Sequence, residues 1–210
     1  MKLLALSDLH GDYSKVEALV QHAGVIDAVL VSGDITDFGP DEKALEFIDM
    51  FDVPVLVVPG NCDKPSILEV LDGCSAVNLH KNCYTLDDTC FMGLGGSNYT
   101  PFNTPLELSD DEIEEAINTM LSNCSTIRNV LVSHAPPYGF VDELPVGHVG
   151  SRAIAKFVNR FSLVVCGHIH EARGTAMCGN TTIVNVGEAS KGCGAVIIMN
   201  DSICVELIEV

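Results

Sequence analysis

Short apolar runs, each closed by a polar or glycine-bearing cluster, recur along the chain. Leu3-Leu4-Ala5-Leu6 leads into Asp8-Leu9-His10, Val29-Leu30-Val31 into Gly33-Asp34, and Val55-Leu56-Val57-Val58 into Gly60-Asn61. Later, Val130-Leu131-Val132 leads into Ser133-His134, and Leu163-Val164-Val165 into Cys166-Gly167-His168-Ile169-His170. Continuous apolar runs this short, bounded by turn residues, read as strands buried on both faces. They predict strands at 2–7, 28–32, 54–58, 129–133 and 162–166.

Between the first three strands the apolar period becomes helical. Asp12 is placed to cap a helix whose stripe is Val16, Leu19, Val20 and Ala23, stopped by Gly24. Pro40 suits the first turn of a helix carrying Ala44, Leu45, Ile48 and Phe51, and Pro65 opens a short helix through Leu71. Strands separated by such helices make a right-handed, mostly parallel sheet.

From residue 76 the pattern shifts to closely spaced strands, 76–79, 83–86 and 90–94, which read as antiparallel hairpins. Ser109 and Glu112 form a capping box for a helix to about Cys124, with Ile113, Ala116, Ile117, Met120 and Leu121 inward. Its acids Asp110, Asp111, Glu114 and Glu115 read as a solvated face and favourable partners of the helix N-terminus. A helix over 151–160 follows, and after Thr175 come strands at 181–186, 194–199 and 203–208. The expected architecture is α/β, with two sheets face to face and helices outside, in a single domain spanning 1–210.

Composition narrows the function classes. No run approaches the ~20 apolar residues of a membrane span, and the N-terminus enters a strand without a basic region, apolar segment and cleavage site, so a cytoplasmic location is expected. The net charge of −18, with 11 Lys and Arg, argues against broad binding to nucleic-acid backbones. Nine cysteines without a Cys-x-x-Cys pair fit neither a disulfide framework nor a zinc ribbon and read as reduced, mostly buried small hydrophobes. Self-association is left open.

In an open α/β sheet, ligand groups gather beyond the carboxyl ends of the strands. Here that rule brings two Asp, one Asn and four His to one rim. Crowded carboxylates repel, and buried polar groups without partners are costly, so such a convergence is stable mainly around cations. A metal site follows, with room in the donor count for two ions. Nitrogen and oxygen donors together suit Mn, Fe, Zn, Co or Ni.

The series Asp8-x-His10, Gly33-Asp34, Gly60-Asn61, His134 and Gly167-His168-x-His170 resembles the calcineurin-like metallophosphoesterase family over nearly the whole chain. The resemblance implies an α/β/β/α sandwich of two mixed sheets with a dinuclear centre. It places one metal with Asp8, His10 and His170, the other with Asn61, His134 and His168, and Asp34 between both. It further implies a hydrolase for phosphoric esters, with small-molecule phosphodiesters ahead of monoesters. The alternative is a binding protein that uses the same fold as a scaffold, which loss of ligand positions would mark. All seven positions are filled here.

The family's commonest motif, Gly-Asn-His followed by an acid, reads Gly60-Asn61-Cys62-Asp63 in this chain. The same Cys occurs in small prokaryotic members resembling phosphodiesterases. Asn61, His134, Cys62 and Asp63 are the candidate catalytic residues, although Cys62 reads more readily as a packed small residue, since buried cysteines are normally inert. His148, just before a helix start at Ser151, and Arg173, three residues past His170, are candidates to touch substrate. His22 and His80 read as structural.

Overall fold

The computed structural model describes residues 1–124, 126 and 128–210. In chain order the elements are β1 (Lys2–Leu6), α1 (Val16–Ala23), β2 (Ala28–Ser32), α2 (Lys43–Ile48), β3 (Val55–Val58), α3 (Ile67–Asp72), β4 (Val77–Asn78), β5 (Asn82–Leu86), β6 (Thr89–Leu94), β7 (Ser97–Asn98) and β8 (Glu107–Leu108). There follow α4 (Asp110–Asn123), β9 (Arg128–Ser133), β10 (Glu143–Leu144), β11 (Gly147–His148), α5 (Arg152–Phe157), β12 (Leu163–Cys166), β13 (Gly174–Cys178), β14 (Thr181–Asn185), β15 (Cys193–Met199) and β16 (Ile203–Glu209). No helix among the described residues is long and apolar enough to cross a membrane.

Two six-stranded mixed sheets form, in the orders β16-β15-β1-β2-β3-β4 and β13-β14-β12-β9-β6-β5. In the first, β1 to β4 run parallel and β15 returns antiparallel to β1; in the second, β6, β9, β12 and β14 run parallel. The two-residue period of a strand sorts side chains between layers. Leu3 and Ala5 point between the sheets, onto Phe91, Val130, Val132 and Val165. Leu4 and Leu6 point outward, into the layer closed by Val16 and Leu19 of α1 and Phe47 of α2. A third layer packs Ile113 and Ile117 of α4 and Ile154 of α5 against Met92, Leu131 and Val164. Helix, sheet, sheet, helix is therefore the order of layers.

The structure departs from the expected elements in five places. Asp12 does not cap α1: its carboxylate accepts the Ser14 N–H two residues ahead of the helix, and the residue before Val16 is Lys15. Helix α2 begins three residues beyond Pro40 and buries Ala44, Phe47 and Ile48, with Leu45 exposed and Phe51 outside it. The segment expected as a hairpin at 76–79 is β4, which adds to the first sheet parallel to β3; only β5 and β6 form the hairpin. The helix expected over 151–160 is α5 followed by one 3-10 turn at Val158–Arg160, with Ser151 accepting the Ile154 N–H as its cap. Finally, Cys90 and Cys124 are joined as a disulfide, and the other seven cysteines are free thiols. The capping box at Ser109 and Glu112 is present with both reciprocal bonds.

His80 holds the crossing between the sheets. Its Nδ1 accepts the Gly95 N–H at 3.0 Å, which requires a neutral ring. Burial, helped by Lys81, lowers its pKa to about 4. The folded state thus binds this proton more weakly than the unfolded chain, whose histidine titrates near 6.5. The contribution of this group is complete above pH 6.5 and is lost as the pH falls towards 4, by about 2–3 kcal/mol after allowing for partial exposure. Urea unfolding across that range should show a shallower decline in stability for His80→Gln, whose side-chain oxygen can still accept from Gly95, than for the wild type. Equal slopes would exclude His80 as a source of acid sensitivity.

Candidate metal centre

The polar cluster after each parallel strand lies on one rim where both sheets end. The loops after β1 and β2 are joined by backbone bonds: Asp8 N–H donates to Gly33 O, and the Leu9 and His10 N–H groups both donate to Asp34 O, each at 2.9 Å. Asp8, His10, Asp34 and His168 all adopt positive φ, between 48° and 68°. Non-glycine residues enter this left-handed region at some energetic cost, and they persist there where surrounding contacts over-determine the backbone. Sharp left-handed turns directly after the strands are what aim these side chains back across the rim.

Two motif glycines are explained by close approach. A Cβ on Gly60 would overlap the Asp34 carboxylate and backbone nitrogen, and one on Gly167 would overlap Ser7 and Asp8. The glycine of one cluster is the floor on which the carboxylate of another rests.

Asp34 occupies the middle. Its Oδ1 accepts the Cys62 backbone N–H at 2.8 Å, while Oδ2 lies 3.8 Å from His10 Nε2 and 3.5 Å from His134 Nε2. Asp8, His10 and His170 bring donor atoms within 4.8 Å of one another, as do Asp8, Asp34 and His134, and His10, Asp34 and Cys62. Asn61 Oδ1 lies 2.8 Å from His134 Nε2, so Asn61 also faces this point. The His168 ring stacks beside that of His134, with centroids 4.9 Å apart, and its backbone N–H donates to Asp8. Six of the seven expected ligands thus meet directly around Asp8, Asp34 and His134, and His168 stands one ring away.

The electrostatics follow from burial. Asp8 and Asp34 are withdrawn from solvent. Desolvation alone would raise the Asp34 carboxyl, but His134 and His10 outweigh it and hold the group below the usual carboxylate range. Desolvation likewise pushes His134 down, yet Asp34 and Asp8 reverse the sign and raise it to about 9. Desolvation, with His134 beside it, lowers the half-buried His168 to about 4. The two carboxylates therefore draw positive charge into the centre, and the surrounding oxygen and imidazole donors are those that divalent first-row cations prefer. The residues present fit such ions.

Sequence reasoning missed the groups that orient these ligands. His134 Nδ1 donates to the Ser32 carbonyl at 2.7 Å, which turns Nε2 towards Asp34 and Asn61, where a cation would take the place of its proton. His170 Nδ1 lies 3.2 Å from Glu188 Oε2, which turns its Nε2 towards Asp8 at the same distance. Glu188 is itself fixed by the Ser190 hydroxyl and the Lys191 ammonium. A carboxylate or carbonyl behind a ligating imidazole sets its tautomer and direction.

Other candidates land elsewhere. Asp63 does not face the rim: its oxygens accept from the Ile35, Thr36 and Gly60 N–H groups and the Thr36 hydroxyl, which locks the Asn61 loop to the Asp34 loop. That makes it a positioning carboxylate. Cys62 is half-buried, and burial with the nearby Asp34 pushes its thiol well above the ordinary range. Arg173, expected to reach phosphate, turns away, with its guanidinium on the carbonyls of Val186 and Ile208 and beside Glu209. His148 stands outside the ligand groups in a neighbouring cavity of about 380 Å³, held at 2.7 Å by the buried Asp142 and facing Tyr138, over which Arg152 stacks.

The chain and its fold are similar to those of known proteins. The chain is 38% identical over 197 residues to the uncharacterized protein MJ1162 of Methanocaldococcus jannaschii, covering 88% of this chain and 87% of that protein. Its fold matches the crystal structure of TT1561 of Thermus thermophilus, with a TM-score of 0.80 and 18% identity over 99% of this chain and 98% of that one. It also matches a structure described as a novel archaeal phosphodiesterase, with a TM-score of 0.60 and 12% identity over the whole of both chains. Residues 1–172 match the family model for calcineurin-like phosphoesterases, and the chain belongs to that family.

Proposed function

We propose that the protein is a metal-dependent phosphodiesterase acting at the rim shared by the two sheets. The observation that carries this reading is the position of Asp34, whose Oδ2 lies between His10 and His134 while Oδ1 is anchored by Cys62 N–H. A carboxylate so placed is suited to serve two cations at once. Asp8, His10 and His170 would hold one, Asn61, His134 and His168 the other.

Two divalent ions in such a centre supply a water of lowered pKa and charge stabilisation at both ends of an in-line displacement. The chain's own part is to fix donors and exclude disorder. Asp34 and Asp8 supply the negative charge that would hold the ions. Ser32 and Glu188 hold His134 and His170 in the tautomers that present Nε2. Asn61 offers a neutral oxygen beside His134, adding a donor without further charge. The scarcity of cationic side chains supports diesters over dianionic monoesters, since Arg173 is committed to backbone carbonyls.

At Cys62 the chain has a thiol where an imidazole acid would stand in the commonest family motif. The leaving oxygen then departs without strong proton donation from the protein, and rate should depend steeply on leaving-group stability. Aryl diesters such as bis(p-nitrophenyl) phosphate are expected to outrun alkyl ones. Cys62→Ser should leave aryl-ester turnover within about threefold of wild type, whereas deletion of a general acid typically costs roughly 10²-fold or more. A loss of that size at unchanged metal content would make the thiol a participant. Chelation should abolish turnover reversibly, and persistence of activity in stripped protein would refute the metal-dependent reading.

A further inference from the structure

Beside the candidate metal centre lies a cavity of about 550 Å³ whose lining includes His168 and Ile169. Its lining also carries three large side chains that solvent would ordinarily disfavour: Tyr99 is 69% exposed, Phe102 80% and Val146 85%. Leu144 and Val149 line it as well. The loop bearing Tyr99 and Phe102 is tied to the centre, because Leu106 N–H donates to the carbonyl of Asn61. Thr100 and Thr104 both bond to Glu107, so this loop is braced from within. Val146 comes from a separate segment, the turn between β10 and β11.

An apolar cleft that ends on a residue of the candidate centre is continuous with the reacting position, so its occupant is a part of the substrate. No Lys or Arg among the described residues lines it, and the one carboxylate in its wall is Glu171. A second phosphate would therefore meet repulsion there and no partner. Two aromatic rings and branched aliphatic side chains in one lining favour a flat or apolar group that gains by leaving water.

We infer that this cleft binds one ester group of the substrate, and that the group is aromatic and uncharged. This rests on the phosphodiesterase reading above for the position of the phosphorus. The class of substrate is then a phosphodiester or phosphonate ester in which an aryl or similar ring lies against Phe102 and Tyr99. This preference concerns binding of a ring and is distinct from leaving-group stability.

The test uses the full-length protein loaded with Mn²⁺ and two probes that differ only in that group, phenylphosphonate and methylphosphonate, with affinities measured by calorimetry. Phenylphosphonate is expected to bind about tenfold more tightly, the gain of roughly 1.4 kcal/mol that one partly covered ring supplies. Phe102→Ala, at a side chain too exposed to support the core, should reduce that ratio to about twofold and leave methylphosphonate affinity unchanged. Equal affinities in the wild type, no binding of either probe, or a ratio unaltered by Phe102→Ala would each overturn the inference.

Turnover of p-nitrophenyl phenylphosphonate and p-nitrophenyl methylphosphonate, which share a leaving group, separates the two claims. A phenyl preference in binding with neither ester hydrolysed would uphold the cleft and strike the phosphodiesterase reading. Hydrolysis of both at equal kcat/KM, with equal binding, would do the reverse.

Discussion

Asp34→Asn is expected to lower kcat/KM for an activated phosphodiester by about 10³-fold, equivalent to roughly 4 kcal/mol of transition-state stabilisation. It should also reduce metal content at both positions, as measured by elemental analysis after gel filtration. The substitution is close to isosteric. The Asn carbonyl oxygen can still accept the Cys62 N–H that Asp34 Oδ1 accepts at 2.8 Å, so the loop keeps its anchor. What changes is the other arm, where a charged oxygen between His10 and His134 becomes an amide. If Asp34 serves two ions as proposed, removing its charge should weaken both together, whereas loss of a proposed ligand such as His10 or His168 should affect one first. Unfolding midpoints near the wild-type value would show that the loss is chemical. Two tightly held metals and full activity in the variant would remove Asp34 from its central role.

Gly60→Ala should act on stability and on metal binding at once. The added methyl would overlap Asp34 at its carboxylate and backbone nitrogen, and Asp34 cannot retreat, because its own backbone carbonyl receives the N–H groups of Leu9 and His10. Overpacking against fixed backbone typically costs about 1–3 kcal/mol, and this site lies at the upper end because a buried carboxylate must also move. For a chain of this length that corresponds to a fall of roughly 6–12 °C in Tm. Thermal unfolding followed by circular dichroism measures it. An unchanged Tm with normal metal content would mean that the loops after β2 and β3 are not interlocked as described.

Much of this arrangement was legible in the order of residues, and the reason is physical. A strand buried on both faces must be continuously apolar, so Val29-Leu30-Val31 and Leu163-Val164-Val165 announce themselves, and the polar group after each falls on a rim. Seven candidate ligands could be named that way. What could not be read is how each loop turns. The left-handed backbone at Asp8, His10, Asp34 and His168 is imposed by contacts between loops far apart in sequence, and nothing local requires it.

Orienting groups were hidden for a related reason. Glu188 is one of 29 acidic residues and lies 18 positions beyond His170, in a turn without a motif of its own. Ser32 acts through its carbonyl, which any residue type would supply. Arg173 misled because proximity in sequence to His170 says little about direction: the 3-10 turn at His170–Ala172 reverses the chain and carries the guanidinium towards Ile208. The segment at 76–79 looked like a hairpin strand because its spacing from β5 is short; its pairing was decided by the open edge of β3.

The central claim is that one chain assembles a two-ion centre that hydrolyses phosphodiesters. The most direct measurement is turnover of bis(p-nitrophenyl) phosphate by chelator-stripped protein as Mn²⁺ is added in known equivalents, with bound metal determined in parallel. The account predicts negligible turnover without metal, and a rise that reaches its plateau at two bound ions per chain. Protein saturated with two ions but inactive across phosphodiesters and phosphomonoesters, or saturated at one, would contradict it.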